Sequence, residues 1–355
     1  MKFSIIIPVF NAEMYLSDAI ESVISQRYID FEIIIVDDGS VDGSESVYER
    51  YIAQYPNHIV SIKQENSGQL ISRSRGILKA SGDYCLFLDS DDILVENCLQ
   101  ELKEYIEVYQ MPEIVVFPFY YDRSGKLEKS KMLCDKDMLY EGERLKYVYR
   151  EVFEGTLLNS VCTKAVRRDI ALSSINGHEK YGCLKCAEDR YQSMMMLKDS
   201  RRVLYVTKPY YRYRIIDGST TRKFSYDAIT RFNIASIYNV ELQCLKEWGM
   251  DSEEWREKLL VKWFGYPLYV LDRFYNNISK REKKRVLTYR WEDFLPEEID
   301  VQVSQINDNI SKTHKLMWKW IIHKKYACLH IYFIKKNIYK SLRRIKKKLI
   351  KRNWV

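Results

Sequence analysis

The chain has no run of about 18 uncharged apolar residues, the length a bilayer-spanning helix needs. Its longest apolar candidate, 326–334, is half that length, so nothing reads as membrane-spanning. The apolar opening Ile5 to Phe10 is too short for a secretory core, and no small-residue cleavage site follows it. A reducing cytosol is therefore the expected compartment. The eight cysteines are scattered, several in apolar segments, as reduced core thiols are. Cys183-Leu-Lys-Cys186 lacks the second pair that a zinc site requires. Neither GxGxxG nor GxxxxGK[ST] occurs, which counts against enzymes that cradle phosphate in a glycine-rich loop. No internal repeat is found. Acid is missing from one end: residues 309–355 hold 15 Lys or Arg and no Asp or Glu.

What is present is a chain of 355 residues, 46% hydrophobic and 30% charged. That suits a globular protein with two domains, or one large domain with an appendage. The net charge of +8 divides unevenly: the last 47 residues carry +15 and the first 308 carry −7. An acidic body and a basic tail are two physical objects. Ile331, Ile334, Ile338, Leu342, Ile345 and Leu349 recur at helical spacing in that tail, with Lys and Arg on the remaining faces and Trp318, Trp320 and Trp354 nearby. Such a helix suits the surface of an anionic membrane, through residues 323–355. Packing on the protein itself, or binding nucleic acid, are the competing readings; no nucleic-acid-reading module accompanies the tail, and no nucleic-acid partner is expected.

Hydrophobic periodicity predicts strands over 3–9, 31–36, 59–63, 84–88 and 114–119, alternating with helices over 12–26, 42–55, 69–80 and 94–109. Short connections between alternating strands and helices imply a mostly parallel sheet covered on both faces. Beyond residue 120 the pattern loosens. A loop or hairpin is expected over 123–137, helices over 143–153 and 187–197, and short strands over 203–206 and 210–214. A helical annex and an acidic connector then occupy 223–308. The sequence divides into a catalytic-type domain over 1–222, that annex and connector, and the tail over 309–355.

In parallel sheets the ligand crevice lies at the carboxyl ends of the strands. Asn11, Asp37 and Asp38, and Asp89, Asp91 and Asp92 all follow strand ends. Three acids within four residues repel one another and are hard to desolvate without a cation. Hard oxygen ligands of this kind suit Mg²⁺ or Mn²⁺, with substrate phosphates completing the shell. Taken alone, the same turn also reads as a solvated acidic turn.

Ser4-Ile-Ile-Ile-Pro-Val-Phe-Asn11, Glu32-Ile-Ile-Ile-Val-Asp-Asp-Gly-Ser40, Asn66-Ser-Gly68 and Ser81-Gly-Asp-Tyr-Cys-Leu-Phe-Leu-Asp-Ser-Asp-Asp92 resemble consecutive motifs of the family 2 glycosyltransferases. The resemblance covers roughly residues 1–220. It implies a GT-A fold, which is α/β and Rossmann-like, with a nucleotide-sugar donor, a divalent metal and inversion at the anomeric carbon. It further implies that Pro8 and Phe10 line the nucleobase, Asp38 bonds the base, and Asp89 holds the ribose or helps position the metal. Ser90 lies in the same donor motif, and Asp91 is the implied metal ligand. Arg73 matches the arginine of the family's Ala-Arg-Asn-x-Gly, whose asparagine is Ser74 here. Ala187-Glu188-Asp189 matches the Glu-Asp pair, with Asp189 as catalytic base. Tyr211-Arg-Tyr-Arg214, followed by Ser219, matches the segment that closes over the phosphates, and Arg214 stands where many members have His.

Sugar transfer by this reading needs a stabilised leaving diphosphate and a deprotonated acceptor hydroxyl. The expected donor is a UDP-sugar. The expected acceptor is a saccharide, lipid-linked if the tail docks on a membrane, in cell-surface polysaccharide synthesis on the cytoplasmic membrane face. A catalytically silent sugar-nucleotide-binding scaffold and a nucleotidyltransferase are the alternatives. Three local expectations complete the reading. Arg75 is an exposed helix charge, Met194 to Met196 pack in the core, and His178 is solvated in its Gly/Asn-rich loop.

Overall fold

A computed structural model describes residues 1–155, 157–178, 187–216 and 234–259, with single positions at 262, 281, 328, 331, 332 and 335. Apart from those positions, the expectations for Cys183/Cys186, Ser219, the connector and the basic stripe fall outside the described residues. The chain divides into two compact units: Met1–Ser219 with Lys246–Met250, and Thr220–Leu245 with Asp251–Val355.

The first unit is built on an eight-stranded sheet. β1 (Phe3–Val9), apolar but for Ser4, is buried at every position. β2 (Phe31–Asp37) and β3 (Ile59–Lys63) stack parallel on one side of it, and β4 (Tyr84–Phe87) lies parallel on the other. β5 (Ile93–Leu94), β7 (Phe119–Arg123), β8 (Lys126–Lys129) and β12 (Tyr211–Arg214) form a separate four-stranded sheet in the order β5-β12-β7-β8. The main sheet is completed by β6 (Ile114–Val116), β9 (Met138–Glu141), β10 (Lys164–Arg167) and β11 (Arg202–Tyr205), in the order β3-β2-β1-β4-β10-β6-β11-β9. β10 is antiparallel to both its neighbours, and β9 is an antiparallel edge. The strand order reverses between β1 and β4.

α1 (Leu16–Ile24), α2 (Ser44–Gln54), α3 (Gln69–Lys79), α4 (Cys98–Val108), α5 (Leu145–Glu154), α6 (Arg168–Ser174) and α7 (Glu188–Lys198) follow in the first unit. α8 (Ile234–Glu247) runs from the second unit's sequence into the 246–250 segment of the first. Within the first unit, Trp248 stacks flat on Tyr149 with ring centroids 4.2 Å apart. α3 sits directly on β1. Gly76 makes this possible, since a Cβ there would overlap the Ile6 side chain.

Several boundaries moved for identifiable reasons. α4 begins at Cys98 rather than near Leu94 because Ile93 and Leu94 pair with β12. The expected strand over 114–119 is two strands in different sheets, parted after Val116. α2 starts at Ser44 without a side-chain cap on its first turn; Asp42 instead accepts the Ser44 N–H at 3.1 Å from just outside the helix.

Candidate active site

The reversal of strand order between β1 and β4 is a topological switch point, where α/β sheets open a crevice at the carboxyl ends of their strands. β1 and β4 part after Ile6 and Phe87. Pro8, which has no N–H to give, lies beyond that divergence and loses no ladder bond there. Phe10 follows at the strand end, half exposed. The 88–92 turn enters the gap with the Leu88 N–H on the Ile6 carbonyl.

α3 supplies the centre of the site. Arg73 is fully buried. Its Nη2 donates to Asp89 Oδ1 at 2.9 Å, and its Nη1 donates to Asp189 Oδ1. Asp89 stands at the end of β4 and Asp189 in the first turn of α7, so one guanidinium joins two carboxylates 100 residues apart in sequence. Gln69, one turn earlier, adds a second donor to Asp89 Oδ1 at 2.7 Å. Burial opposes the charge on Arg73, and Asp189 and Asp89 more than offset it, so its pKa is held above its ordinary value. Burial pushes the Asp89 carboxyl up despite Arg73. α7 opens from Ala187, which sits in the left-handed region at φ 64°. A non-glycine residue held there costs free energy, and such strain clusters at functional sites.

Asp38 belongs to a neighbouring network. Its Oδ1 accepts from Gln64 Nε2 at 2.6 Å and the Ser67 N–H at 2.7 Å, and its Oδ2 accepts from the Gly68 N–H at 2.9 Å. Gln64 also reaches Ser72 Oγ on α3 at 3.1 Å. Asp38 thus fastens the 64–68 turn that launches α3, and through Gln64 it is linked to Ser72, the residue before Arg73. Ser90 is partly exposed between Asp89 and Asp91.

The other wall comes from the small sheet. Asp92 is buried, accepting from Tyr211 Oη at 2.6 Å and from the Arg214 N–H at 2.7 Å. Burial, with Asp89 and Asp91 nearby, raises its carboxyl well above the usual range. The Asp89 N–H donates to Tyr211 Oη at 3.3 Å. The guanidinium of Arg214 donates to the Asp91 carbonyl, pairs with Asp18 at 2.5 Å and lies over the Tyr15 ring, 5.2 Å from its centroid. Sequence reasoning passed over Gln64, Gln69 and Cys162, whose Sγ is 4.0 Å from Arg73 Nη2. It also passed over Lys164, fully buried on β10, whose ammonium donates to the Leu158 and Ser160 carbonyls and whose pKa burial lowers to about 7. A cationic residue in a short central strand carries no apolar signature.

Asp91 is the residue a divalent cation would use. Among the described residues its carboxyl accepts only its own backbone N–H, while burial and then Asp89 raise its pKa. A nearby cation would relieve both effects, and its oxygens are the hard donors that Mg²⁺ and Mn²⁺ take. Among the described residues no three His, Cys, Asp or Glu side chains form a ready metal cage.

His178 corrects an expectation. It is 2% exposed, not solvated, with Nδ1 2.6 Å from Ser74 Oγ. Ser74 Oγ is also 2.8 Å from the Leu70 carbonyl. Its one proton satisfies that carbonyl, so the imidazole carries Nδ1–H and donates to Ser74. Arg73 and Ser74, adjacent on α3, therefore grip the chain at both Asp189 and His178. A long-range contact cancelled the loop composition that suggested solvent. Arg75, between the two buried positions and Gly76, is exposed as expected, and of the methionine run Met194 and Met196 are buried while Met195 is partly exposed.

Two buried groups give opposite pH dependences. Burial lowers His178 from 6.5 to about 4. Its contribution is complete above pH 6.5 and is lost as pH falls toward 4. Burial and Asp189 raise Glu188 from 4.5 to about 7. Its contribution is complete below pH 4.5 and is lost as pH rises toward 7. Each is worth on the order of 3 kcal/mol at most. In thermal melts across this range, His178→Gln should fare better relative to the parent at the acid end. Glu188→Gln should fare better at the neutral end. Offsets that stay constant with pH would contradict both assignments.

Comparison with known proteins agrees with the geometry. The sequence profile of Glycosyl transferase family 2 matches residues 4–172. The chain is 29% identical over 224 residues to the glycosyltransferase GlyA of Streptococcus pneumoniae serotype 4, covering 62% of this chain and 32% of GlyA. It is 30% identical over 222 residues to the minor teichoic acid biosynthesis protein GgaB of Bacillus subtilis (strain 168), covering 61% of this chain and 23% of GgaB. The chain thus spans about a third or less of these two relatives. With EpsH of Bacillus subtilis (strain 168) it shares 31% identity over 259 residues, 72% of each chain. The crystal structure of S. aureus TarS 1–349 in complex with UDP has the same fold, with a TM-score of 0.62 and 19% identity over 96% of this chain and 92% of that one. A mostly parallel sheet with its acids gathered at the switch point, a matching family profile and a relative aligned over most of both lengths lead to one assignment: the chain belongs to the family 2 glycosyltransferases.

Proposed function

We propose that this glycosyltransferase moves a sugar, with inversion, from a UDP-sugar to a saccharide acceptor in the synthesis of a cell-surface polymer. The observation that carries the reading is Arg73, which ties Asp89 on the donor side to Asp189 at the mouth of α7. TarS, solved with UDP and also with UDP-GlcNAc, supports the donor class, and GgaB, named for teichoic acid biosynthesis, supports the kind of product. Pro8, Phe10 and the Asp38 turn take the base, and Asp89 and Ser90 face the ribose and sugar. Arg214, one side of whose guanidinium already reaches Asp91, neutralises phosphate charge by charge-assisted hydrogen bonds. A Mn²⁺ or Mg²⁺ ion held by Asp91 supplies Lewis-acid stabilisation to the departing diphosphate when bound. Asp189 accepts the proton of the attacking hydroxyl, and Arg73 holds that carboxylate in place. Its negative charge also favours an electron-poor anomeric carbon.

A thermal-shift panel of nucleotides and UDP-sugars, with and without Mn²⁺, tests the donor. A ligand at 100 times its Kd stabilises by about 2.7 kcal/mol. UDP should raise the melting temperature, and more so with Mn²⁺. Shifts by GDP or CMP equal to those by UDP would refute the donor assignment. The basic, tryptophan-bearing stripe of 323–355 supports docking on an anionic membrane, which would suit a lipid-linked acceptor. Co-sedimentation with phosphatidylglycerol vesicles should be lost on deleting 323–355.

A further inference from the structure

The small sheet carries an aromatic row that runs outward beyond the donor-side contacts of Tyr211. Parallel pairing sets Tyr211 beside Phe119 and Tyr213 beside Tyr121, and antiparallel pairing sets Tyr121 beside Glu128. Residues paired this way, and residues two apart on one strand, share a face. Tyr211, Tyr213, Phe119, Tyr121 and Glu128 therefore line one face of the sheet. At its inner end Tyr211 is buried, and its hydroxyl bonds Asp92 and the Asp89 backbone. Tyr213 comes about 7 Å further along the strand. At the outer end Tyr121 is 36% exposed and Glu128 is exposed. Phe119, Tyr121 and Tyr213 meet edge to face, with centroids 4.8, 6.3 and 6.2 Å apart. Of these three rings Tyr121 is the exposed one, and Phe119 and Tyr213 are partly exposed.

We infer that this row is the saccharide acceptor subsite, with Tyr213 and Tyr121 stacking on a pyranose ring and Glu128 accepting from its hydroxyls. A pyranose presents a flat patch of C–H bonds inside a rim of hydroxyls. Tyrosine offers the matching apolar face with a polar tip, and a carboxylate beside it suits the rim. Continuity decides the occupant, because the row begins at the phenol that touches the donor-side aspartates and runs outward. A polypeptide adding to the sheet is disfavoured, since the free edge, β8, carries Lys126, Glu128 and Lys129, all exposed. The face opposite is taken by the Arg212–Asp122 ion pair at 2.5 Å.

This inference rests on the transfer reading, and its test separates the two. Methyl β-D-glucoside, methyl β-D-galactoside and methyl N-acetyl-β-D-glucosaminide serve as probes in saturation-transfer NMR. At least one should give signal with the parent protein. Tyr121→Ala should cut that signal about five-fold, with Tyr213→Leu alongside it. Because Tyr121 lies at the exposed outer end of the row, its loss should leave both the fold and the UDP-induced thermal shift unchanged. Absence of signal from all three probes, or signal that survives both substitutions, overturns the subsite. A change in oligomeric state with Tyr121→Ala would also overturn it, as the mark of a protein interface. Failure of UDP to shift the parent would sink the transfer reading alone, and Tyr121-dependent glycoside signal would still establish the subsite.

Discussion

Asp189→Ala should reduce sugar transfer by about 10²–10⁴-fold or more, the usual worth of a positioned general base, with the protein still folded and still shifted by UDP. The structure explains why the loss would be chemical rather than structural. Asp189 lies partly exposed at the first turn of α7, and Arg73 keeps its second carboxylate, Asp89, when Asp189 is gone. Removing one of two acids from a single guanidinium leaves a paired site. Asp91→Ala should be equally inactive for a different reason, and one measurement tells them apart. The Asp91 variant should lose the Mn²⁺-dependent part of the UDP shift, and the Asp189 variant should retain it. Near-parental transfer by the purified Asp189 variant would remove that residue from the mechanism.

Arg73→Met should be the most destabilising single change in the site. It leaves Asp89 and Asp189 without the guanidinium that joins them, beside a buried thiol. Breaking one side of a buried ion pair costs about 3–5 kcal/mol, and the lower end applies because both carboxylates keep some water. In a domain of this size that is roughly 10 °C of melting temperature. Adding Asp89→Asn to Arg73→Met should recover part of the loss, since it removes one uncompensated charge. A single variant that melts within a degree or so of the parent would show that the guanidinium is dispensable to the fold. Transfer activity should fall in both variants, because Asp189, the proposed base, loses the guanidinium that orients it.

The sequence made the first half of the sheet legible because each strand there is an apolar run closed by polar turn residues. β1 and β3 match their expected bounds, and β2 and β4 differ by one residue. The motifs likewise pointed to Arg73, Asp89, Asp91 and Asp189. What stayed hidden depends on contacts between distant segments. β10, Lys164 to Arg167, is four residues long with a cation at each end, and only its slot between β4 and β6 makes it a strand. The hairpin of Phe119–Arg123 with Lys126–Lys129 belongs to a second sheet that no local period announces. His178 sits next to glycine and asparagine, yet its partner is a serine 104 residues earlier.

Gly76 touches no acid of the site, but it fixes how low α3 rides on Ile6 of β1. Gln69, Ser72, Arg73 and Ser74 all hang from that helix, so its height acts as a common datum for the whole candidate site. An added methyl would lift Arg73 away from Asp89 and Asp189 together. Misplacement of about 1 Å can cost about 10²-fold in rate. Selection for speed can therefore register at a position that no substrate ever meets.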